Sequence, residues 1–311
     1  MTPSQKTTVY INPAFDKIRR PQILEASKSA NLNFTLDTIE GQPITATAAA
    51  KVYFIPPKAT LLGYREKIYL MAKTLGFDTE TVKYKLQGEE AVFDDSQSQL
   101  KINITNFNFS FEQVFIKDSS IFATTNIPSK TEIENKAIDF LKNIGRYPDE
   151  LTQGKTNLIY FSYNPEVQTM QPTQKIDEAN VVEIDFYRPD IDDFPIISPR
   201  YFNSQNYVVM VFNEDGFKIL RAQIKFFEKS EDQMGIYPVK TGEAAYEALK
   251  SGHSMIISNP QKKQEITIKK MFLGYFDPDY YQEYLQPVYV FLGTDDFVAY
   301  VPAVTDNYLT E

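Results

Sequence analysis

The sequence predicts an α+β fold built of repeated small modules, each with one helix packed on an antiparallel sheet. Two observations carry this prediction. Three segments show apolar residues at helical spacing, and each follows a proline and a lysine and ends near a glycine. Several β-type runs come after each helical segment, so strands follow strands more often than they follow helices.

The first fifty residues differ from the rest, because prolines and small residues interrupt short apolar pieces. Within residues 32–39, Leu32, Phe34 and Leu36 alternate with polar residues, which predicts one strand. We therefore expect an extended N-terminal arm over residues 1–50.

The first module is expected over residues 51–120. A β-type run at residues 52–55 stops at Pro56, and a helix over residues 64–75 is followed by the stop signal Gly76. Further β-type runs lie at residues 82–86, 91–93 and 101–111. The expected order in this module is therefore β-α-β-β-β.

The second module is expected over residues 121–232. Thr131 and Glu134 form a capping box, and the apolar stripe of the helix that follows ends at Gly145. The clearest signal in the module is a β-hairpin, whose turn Asn-Glu-Asp-Gly starts at Asn213.

The third module is expected over residues 233–311. Thr241 caps a helix that runs to Lys250 and stops at Gly252. Strands are predicted at residues 266–275, 287–292 and 297–301.

The same C-terminal third carries a series of short motifs. In order they are Pro238-Val239-Lys240-Thr241, Ala244-Ala245, Leu249-Lys250, Gly252, Phe272-Leu273-Gly274-Tyr275, Leu285-Gln286-Pro287-Val288-Tyr289-Val290-Phe291 and Val298-Ala299-Tyr300-Val301-Pro302-Ala303. This order resembles the YycI and PepSY-like modules of extracytoplasmic bacterial proteins over residues 237–304, and more faintly over residues 127–230.

The resemblance implies a non-catalytic bacterial regulator, a membrane-anchored ectodomain that modulates a sensor kinase or a peptidase by protein contact. The chain departs from YycI-type proteins because it lacks their membrane helix: its longest apolar stretches, such as residues 208–212, fall well short of about 20 residues. The N-terminus also lacks the apolar region of a signal peptide. We expect an extracytoplasmic location, at the cell surface or in the periplasm, with an anchor that was cut away; a cytoplasmic protein is the alternative.

Composition argues against several functions. A net charge of −9 repels phosphate backbones, so we expect no nucleic-acid partner. The chain has no cysteine and one histidine, His253, which follows a helix stop where a cation is favoured. Thiol nucleophiles, zinc sites and two-histidine iron sites are thereby excluded. No glycine-rich phosphate loop occurs. We therefore expect no enzyme activity, no metal and no cofactor.

An acidic cluster is a weaker candidate for chemistry. Asp190, Asp192 and Asp193 supply part of the oxygen set of a calcium loop, but the glycine and glutamate of the full pattern do not follow. We interpret the cluster as a solvated acidic loop.

The best candidates for ligand binding lie in residues 275–284, where tyrosines stand beside carboxylates. They are Tyr275, Asp277, Asp279, Tyr280, Tyr281 and Tyr284. Sugar rings stack on aromatic faces, and carboxylate pairs hydrolyse glycosidic bonds. The alternative is a loop or edge segment that packs on its own sheet.

Three functional hypotheses follow. The leading one is a non-catalytic, extracytoplasmic binding or regulatory protein with a protein partner, contacted through exposed strand edges or the tyrosine-rich loop. The second is a carbohydrate or cell-wall binding protein that uses residues 275–284. The third is a structural subunit of a surface layer.

Overall fold

The structure is a computed structural model, and it describes residues 9–24, 26–28, 32–114, 119–122, 127–164, 166–213 and 216–310. The chain divides into two compact units, each assembled from separate stretches of sequence. Unit 1 comprises Met1–Pro57, Asp190–Phe202 and Phe227–Glu311, and unit 2 comprises Lys58–Pro189 and Asn203–Phe226.

Strands dominate the described residues. In chain order they are β1 (Ile18–Arg19), β2 (Ser27–Lys28), β3 (Asn33–Leu36), β4 (Ala49–Phe54), β5 (Lys85–Gln87), β6 (Glu90–Asp94), β7 (Ser98–Asn103), β8 (Phe109–Gln113), β9 (Thr156–Asn164), β10 (Thr169–Pro172), β11 (Val181–Phe186), β12 (Ile196–Ile197), β13 (Tyr207–Asn213), β14 (Gly216–Ile224), β15 (Met234–Pro238), β16 (Met255–Ser258), β17 (Glu265–Phe276), β18 (Tyr284–Gly293), β19 (Val298–Pro302) and β20 (Leu309–Thr310). The α-helices are α1 (Tyr64–Thr74), α2 (Lys130–Asn143) and α3 (Gly242–Lys250), and short 3₁₀ helices lie at Ser119–Phe122, Asp149–Gln153, Ile176–Glu178 and Asp306–Tyr308.

Unit 2 is a single antiparallel sheet of nine strands in the order β10-β9-β11-β13-β14-β8-β7-β6-β5. Both α1 and α2 pack on one face, where Met71 and Leu141 join one core with alternate strand residues such as Ile184. On the opposite face, Val181 and Val209 pack with Phe122 of the first 3₁₀ helix. At its central strands the sheet is therefore covered on both faces, as the consecutive buried residues of β11 require.

Helix ends in unit 2 follow local sequence signals. The side chain of Ser129 caps α2 by accepting a hydrogen bond from the N–H of Glu132. The helix is therefore capped two residues before the capping box predicted at Thr131 and Glu134. Gly76 and Gly145 lie just past the two helices with φ of 89° and 74°, the left-handed conformation that terminates a helix.

The centre of unit 1 is an antiparallel array of β17, β18, β19 and β16. Every residue of β19 is buried, because both of its faces are covered. Ala245 and Leu249 of α3 pack on one face against residues such as Tyr289 and Phe291, whereas Tyr300 and Ile197 lie in the core of the opposite face.

N-terminal strands pair with strands from the rest of unit 1. β1 pairs in parallel with β20 in a separate two-stranded sheet, and β3 pairs in parallel with β17. β2 pairs with β16, and β4 pairs with both β15 and β18. Residues from the N-terminal stretch are therefore hydrogen-bonded to the C-terminal strands at several positions.

The prediction of repeated modules with one helix on each sheet is wrong, since the protein is β-rich with two large sheets. Strands predicted for two modules form one sheet, because β8 pairs with β14 from Phe109↔Ile224 to Glu112↔Arg221. The division into two discontinuous units also differs from the four consecutive segments expected from the sequence. Within the described ranges, no helix has the length and apolar character needed to cross a bilayer.

Candidate functional site

The six predicted binding residues are split between the core and the surface of unit 1. Tyr275 and Asp277 are buried, with 0% and 3% of their surface exposed, so neither presents its side chain to a ligand in solution. Burial raises the pKa of Tyr275 and keeps its hydroxyl protonated. Asp279 is half-buried.

Tyr280, Tyr281 and Tyr284 come together at a cavity of about 190 Å³. Its other lining residues are Arg19, Arg20, Gln22, Gln282, Glu283 and Gln286. The hydroxyl of Tyr281 donates to the carbonyl of Ile55 at 3.1 Å. The ring of Tyr284 lies 5.2 Å from that of Phe15, between centroids. Two of the three tyrosines thus also support the structure around the cavity.

The Oε1 of Gln286 and the hydroxyl of Tyr280 are buried and have no hydrogen-bond partner among the described residues. Gln286 is 2% exposed, and its Nε2 donates to the carbonyl of Arg19 at 2.9 Å. Burial raises the pKa of Tyr280. Because both atoms are buried, neither is presented to a ligand in the cavity.

A larger groove of about 670 Å³ lies along β17, and the sequence did not predict it. Its lining residues are Ile44, Ala46, Asp193, Phe194, Pro195, Ile197, Tyr201, Phe202, Lys270, Met271, Phe272 and Leu273. Most of these side chains are apolar or aromatic, which is the usual composition of a ligand-binding cleft of this size.

A gap in strand pairing creates the groove. On the edge of β17 that faces away from β18, β3 pairs with residues 265–268 and β12 pairs with Tyr275 and Phe276. Among the described residues, no strand pairs with this edge at residues 269–274. This stretch without a partner strand is therefore flanked at both ends by strands that run parallel to β17.

A β-bulge ends the pairing with β3. The register between β17 and β18 shifts between Ile268 and Lys270. Before the bulge, the carbonyl of Ile268 accepts from the N–H of Asp37 on the β3 side, at 2.9 Å. After it, the N–H of Tyr275 donates to Pro195 on the same side, at 2.8 Å. Before the bulge, the main-chain N–H and C=O groups of even-numbered residues of β17 face this edge. After the bulge, those of odd-numbered residues face it.

A tight turn ends the pairing with β12. Asp192 and Asp193 have φ of 49° and 68°, and Ile191 and Phe194 exchange two backbone hydrogen bonds of 2.9 Å around them. The chain therefore leaves the edge of β17 immediately before Pro195. Proline has no N–H, so Pro195 cannot donate to the carbonyl of Leu273. Asp192 also pairs with Lys51 at 2.8 Å, so this acidic cluster serves the turn.

The bulge and the turn leave a short stretch of β17 without a partner strand on this edge. Because hydrogen-bonding direction alternates along a strand, the N–H and C=O groups of Met271 and Leu273 point to the same side as those of Tyr275. In the part of the chain that the structure describes, these four groups have no backbone partner. Met271 and Leu273 are nevertheless buried, with 3% and 1% of their surface exposed, so these groups are covered and not open to solvent. Lys270 is exposed at one end of the stretch, with its Nζ 5.2 Å from the centroid of the Phe272 ring.

The structure also locates His253 and bears on the metal sites considered from the sequence. His253 is exposed just past α3, and its backbone N–H donates to the carbonyl of Ala248 at 2.9 Å. Within the described ranges, no three acidic or histidine side chains are grouped as a metal site requires. In the sequence, the paired aspartates and Pro195 indicate a break in strand structure next to residue 195. They do not indicate which sheet edge lacks a partner strand at that point.

Comparison with known proteins shows no established family. No protein-family model and no curated protein matches the chain. A crystal structure of an uncharacterized protein from Eubacterium rectale ATCC 33656 is similar at 14% identity and a TM-score of 0.37, over 86% of each chain. A likeness at this level does not establish a shared fold or function.

Proposed function

We propose that this protein is a non-catalytic binding protein that acts through protein contact at the groove along β17. The observation that carries the proposal is the groove itself, of about 670 Å³, which is lined mostly by apolar and aromatic side chains and includes the exposed residues Phe202 and Lys270. Apolar surface that stays accessible in a folded protein often marks a site of protein association.

A crosslinking experiment tests this proposal. Phe202 lines the groove and is 47% exposed, so p-benzoylphenylalanine at this position can react with a bound partner in cells of the source organism. The same amino acid at Leu24, which is 80% exposed and does not line the groove, is the control. We expect a discrete crosslinked protein from position 202 and not from position 24.

A matched pair of variants then tests the purified partner. Ala46→Trp fills the groove, whereas Ala48→Trp adds the same side chain at an exposed residue that does not line it. We expect Ala46→Trp to weaken binding and Ala48→Trp to leave it unchanged. Equal crosslinking from positions 202 and 24, or equal binding by the two variants, would contradict the proposal.

We also propose that the protein acts outside the cytoplasm as a regulator. The support is the resemblance of residues 237–304 to YycI and PepSY-like modules. Fractionation of the source cells, followed by immunoblotting, tests the location. Recovery of the protein with the cytosol would contradict this part of the proposal.

Carbohydrate binding at the tyrosine-lined cavity is a second candidate, favoured by the three tyrosines, Tyr280, Tyr281 and Tyr284, that line it. Sugar rings stack on aromatic faces. Tyr280→Ala removes one of these rings, and Tyr10→Ala at a 68% exposed position is its control. Retention on insoluble peptidoglycan, chitin, cellulose and starch should fall for Tyr280→Ala alone; unchanged retention would remove this candidate.

A further inference from the structure

We infer that one surface of unit 2 binds to a lipid bilayer with anionic headgroups and inserts exposed leucine side chains among the lipids. This surface, the leucine patch, is formed by the exposed residues of 58–86. It includes no residue that lines the groove, so the inference goes beyond the proposed function. Exposure, position in the fold and local charge support it.

Exposed leucines are concentrated in the leucine patch. Leu62 is fully exposed, and Leu61, Leu70 and Leu86 each have more than half of their surface exposed. Among the described residues, Leu24 is the only other exposed leucine. Single apolar side chains are scattered over the surface of most soluble proteins, whereas an exposed group of them marks an interaction site. The concentration of leucines therefore indicates a surface that is covered when the protein functions.

A tight turn presents the first two of these leucines. The N–H of Tyr64 donates to the carbonyl of Leu61 at 3.2 Å, and Gly63 has φ of 84° and ψ of 8°. These angles are those of the third residue of a type II turn, a position that favours glycine. Gly63 is also the N-cap of α1. Leu61 and Leu62 therefore lie at the tip of the connection into α1, with their side chains in solvent.

The other two leucines lie on the same side of the sheet of unit 2. Tyr69 of α1 packs against Tyr84, with ring centroids 5.8 Å apart. Leu86 on the edge strand β5 lies opposite Ala91, which belongs to the core that α1 covers. Leu86 therefore faces the side of the sheet on which α1 lies. Leu70 is exposed on α1 itself, so the helix and the edge strand both contribute to the leucine patch.

Local charge in the leucine patch is opposite in sign to that of the whole chain. Residues 58–86 contain six lysines and arginines and three acidic residues, whereas the whole chain contains 32 and 41. Arg65, Lys73, Lys83 and Lys85 are exposed, and they form no ion pair among the described residues. Acidic residues farther away than about 8 Å are largely screened at physiological ionic strength. These four cations can therefore attract anionic headgroups despite the net charge of the chain.

Cations lie beside the leucines. Arg65 is in the first turn of α1, next to the turn that carries Leu62, and its Nε donates to the hydroxyl of Tyr64 at 3.4 Å. Lys73 follows Leu70 by three residues, so the two share one face of the helix. Apolar and basic side chains are thus presented together.

A bilayer fits this combination better than the other macromolecules do. Peripheral membrane proteins combine apolar side chains that enter the headgroup region with cations that attract anionic lipids. Nucleic acids are bound chiefly by charged and polar groups, which would leave the leucines unused. The residues that dominate protein interfaces are mainly Trp, Tyr and Arg, and leucine is under-represented among them.

A fluorescence experiment tests insertion directly. The chain contains no tryptophan, so Leu62→Trp introduces a single reporter at the tip of the turn. Ile39→Trp places the same reporter at a fully exposed residue outside the leucine patch. Vesicles contain equal parts of phosphatidylglycerol and phosphatidylcholine. We expect the emission of Leu62→Trp to shift to shorter wavelength as vesicles are added, because the indole ring leaves water, and the emission of Ile39→Trp to stay unchanged.

Matched double variants test the role of the leucines in affinity. Leu61→Ser with Leu62→Ser removes two apolar side chains from the leucine patch, and Leu24→Ser with Ile39→Ser removes two exposed ones elsewhere. Binding to the same vesicles is measured by cosedimentation of the full chain, with circular dichroism to confirm folding. We expect the first pair to weaken binding at least about tenfold and the second pair to leave it unchanged.

A second matched pair tests charge. Arg65→Glu with Lys73→Glu and the control Lys17→Glu with Lys262→Glu change the net charge equally, and all four residues are exposed. We expect the first pair to weaken binding at least about fivefold and the control to have a much smaller effect. Wild type should bind vesicles of phosphatidylcholine alone more weakly than the anionic vesicles.

Several results would overturn the inference. Wild type that fails to bind the anionic vesicles at millimolar lipid would exclude the bilayer and leave an acidic protein surface as the partner. Equal emission shifts of Leu62→Trp and Ile39→Trp, or equal binding by the two serine pairs, would exclude insertion of the leucines. The crosslinking test of the groove uses other residues, so its outcome is independent of these.

Discussion

The Nζ atom of Lys51 lies 2.8 Å from a carboxylate oxygen of Asp192, and this ion pair links β4 to the turn that precedes β12. Asp192 and Asp193 both adopt left-handed backbone conformations in that turn. Aspartate tolerates this conformation better than most residues do. The turn directs the chain away from β17, and it thereby forms one end of the groove.

Substitutions at Asp192 should separate the role of the turn from that of the ion pair. Asp192→Asn removes the charge and keeps a residue suited to φ of 49°, so we expect a loss of less than about 1 kcal/mol in unfolding free energy. Asp192→Val places a β-branched residue there and should cost about 1–3 kcal/mol more. Urea unfolding measures both; equal losses would show that backbone strain is unimportant in this turn.

Gly242 should not tolerate a side chain. A Cβ atom at this position would lie 2.4 Å from the carbonyl carbon and oxygen of Ile44. Gly242→Ala must displace that backbone, so we expect a destabilisation of about 1–3 kcal/mol in thermal or urea unfolding. Glu243→Ala, at the exposed next residue, should change stability by no more than about 0.5 kcal/mol. A Gly242→Ala protein as stable as wild type would contradict this packing.

Asp185 should make unit 2 less stable as the pH rises. Its side chain is fully buried, one carboxylate oxygen has no hydrogen-bond partner among the described residues, and the other accepts from the hydroxyl of Tyr187 at 3.2 Å. Burial, with a smaller contribution from the charge of Glu183, raises the pKa of Asp185 from 3.8 to about 7.

Because the folded state holds this proton more tightly than the unfolded chain, the stabilisation is present at low pH. It is lost as the pH rises from about 4 to about 7, by an amount on the order of 4 kcal/mol at most. Asp185→Asn stays neutral at every pH. The difference in unfolding free energy, wild type minus Asp185→Asn, should therefore fall over this range in urea titrations; a constant difference would contradict the raised pKa.

A buried polar pair in unit 2 should be strongly coupled. Nη2 of Arg146 donates to Oδ1 of Asn108 at 2.6 Å and to the carbonyl of Phe226 at 2.9 Å, and the N–H of Phe226 donates to the same Oδ1 at 3.1 Å. Arg146→Met should cost about 2–4 kcal/mol, because buried groups lose their partner.

A double-mutant cycle with Asn108→Ala measures this coupling, which should exceed about 1 kcal/mol. Arg221→Met is the control, since that arginine pairs with Glu112 at a half-exposed site. Its removal should cost less than about 1 kcal/mol. Additive effects of Arg146→Met and Asn108→Ala would show that the two side chains act independently.

Local signals predicted the helices and one hairpin well. Thr241 caps α3 as predicted, accepting from the N–H of Ala244, and the glycine that follows each helix has positive φ. The predicted hairpin is formed by β13 and β14, whose last paired residues are Asn213 and Gly216. Caps, stops and turns depend on residues within one or two helical turns of one another, so sequence patterns report them.

Part of the candidate site was also predictable. Tyr280, Tyr281 and Tyr284 are neighbours in the sequence and line one cavity. The pattern could not show that Tyr275 and Asp277 are buried, because their burial depends on β12, which pairs with β17 from about eighty residues earlier in the chain.

The sequence by itself determined the three helices with their stop signals, the central hairpin and several of the longer strands, and the acidic charge that opposes binding to polyanions. Only the tertiary structure decided which strands pair: it placed β3 and β12 on the same edge of β17 and left Met271 and Leu273 without a partner strand between them. The physical reason is that capping and turn formation involve atoms close in sequence, whereas the partner of a strand edge depends on packing among segments that are far apart along the chain.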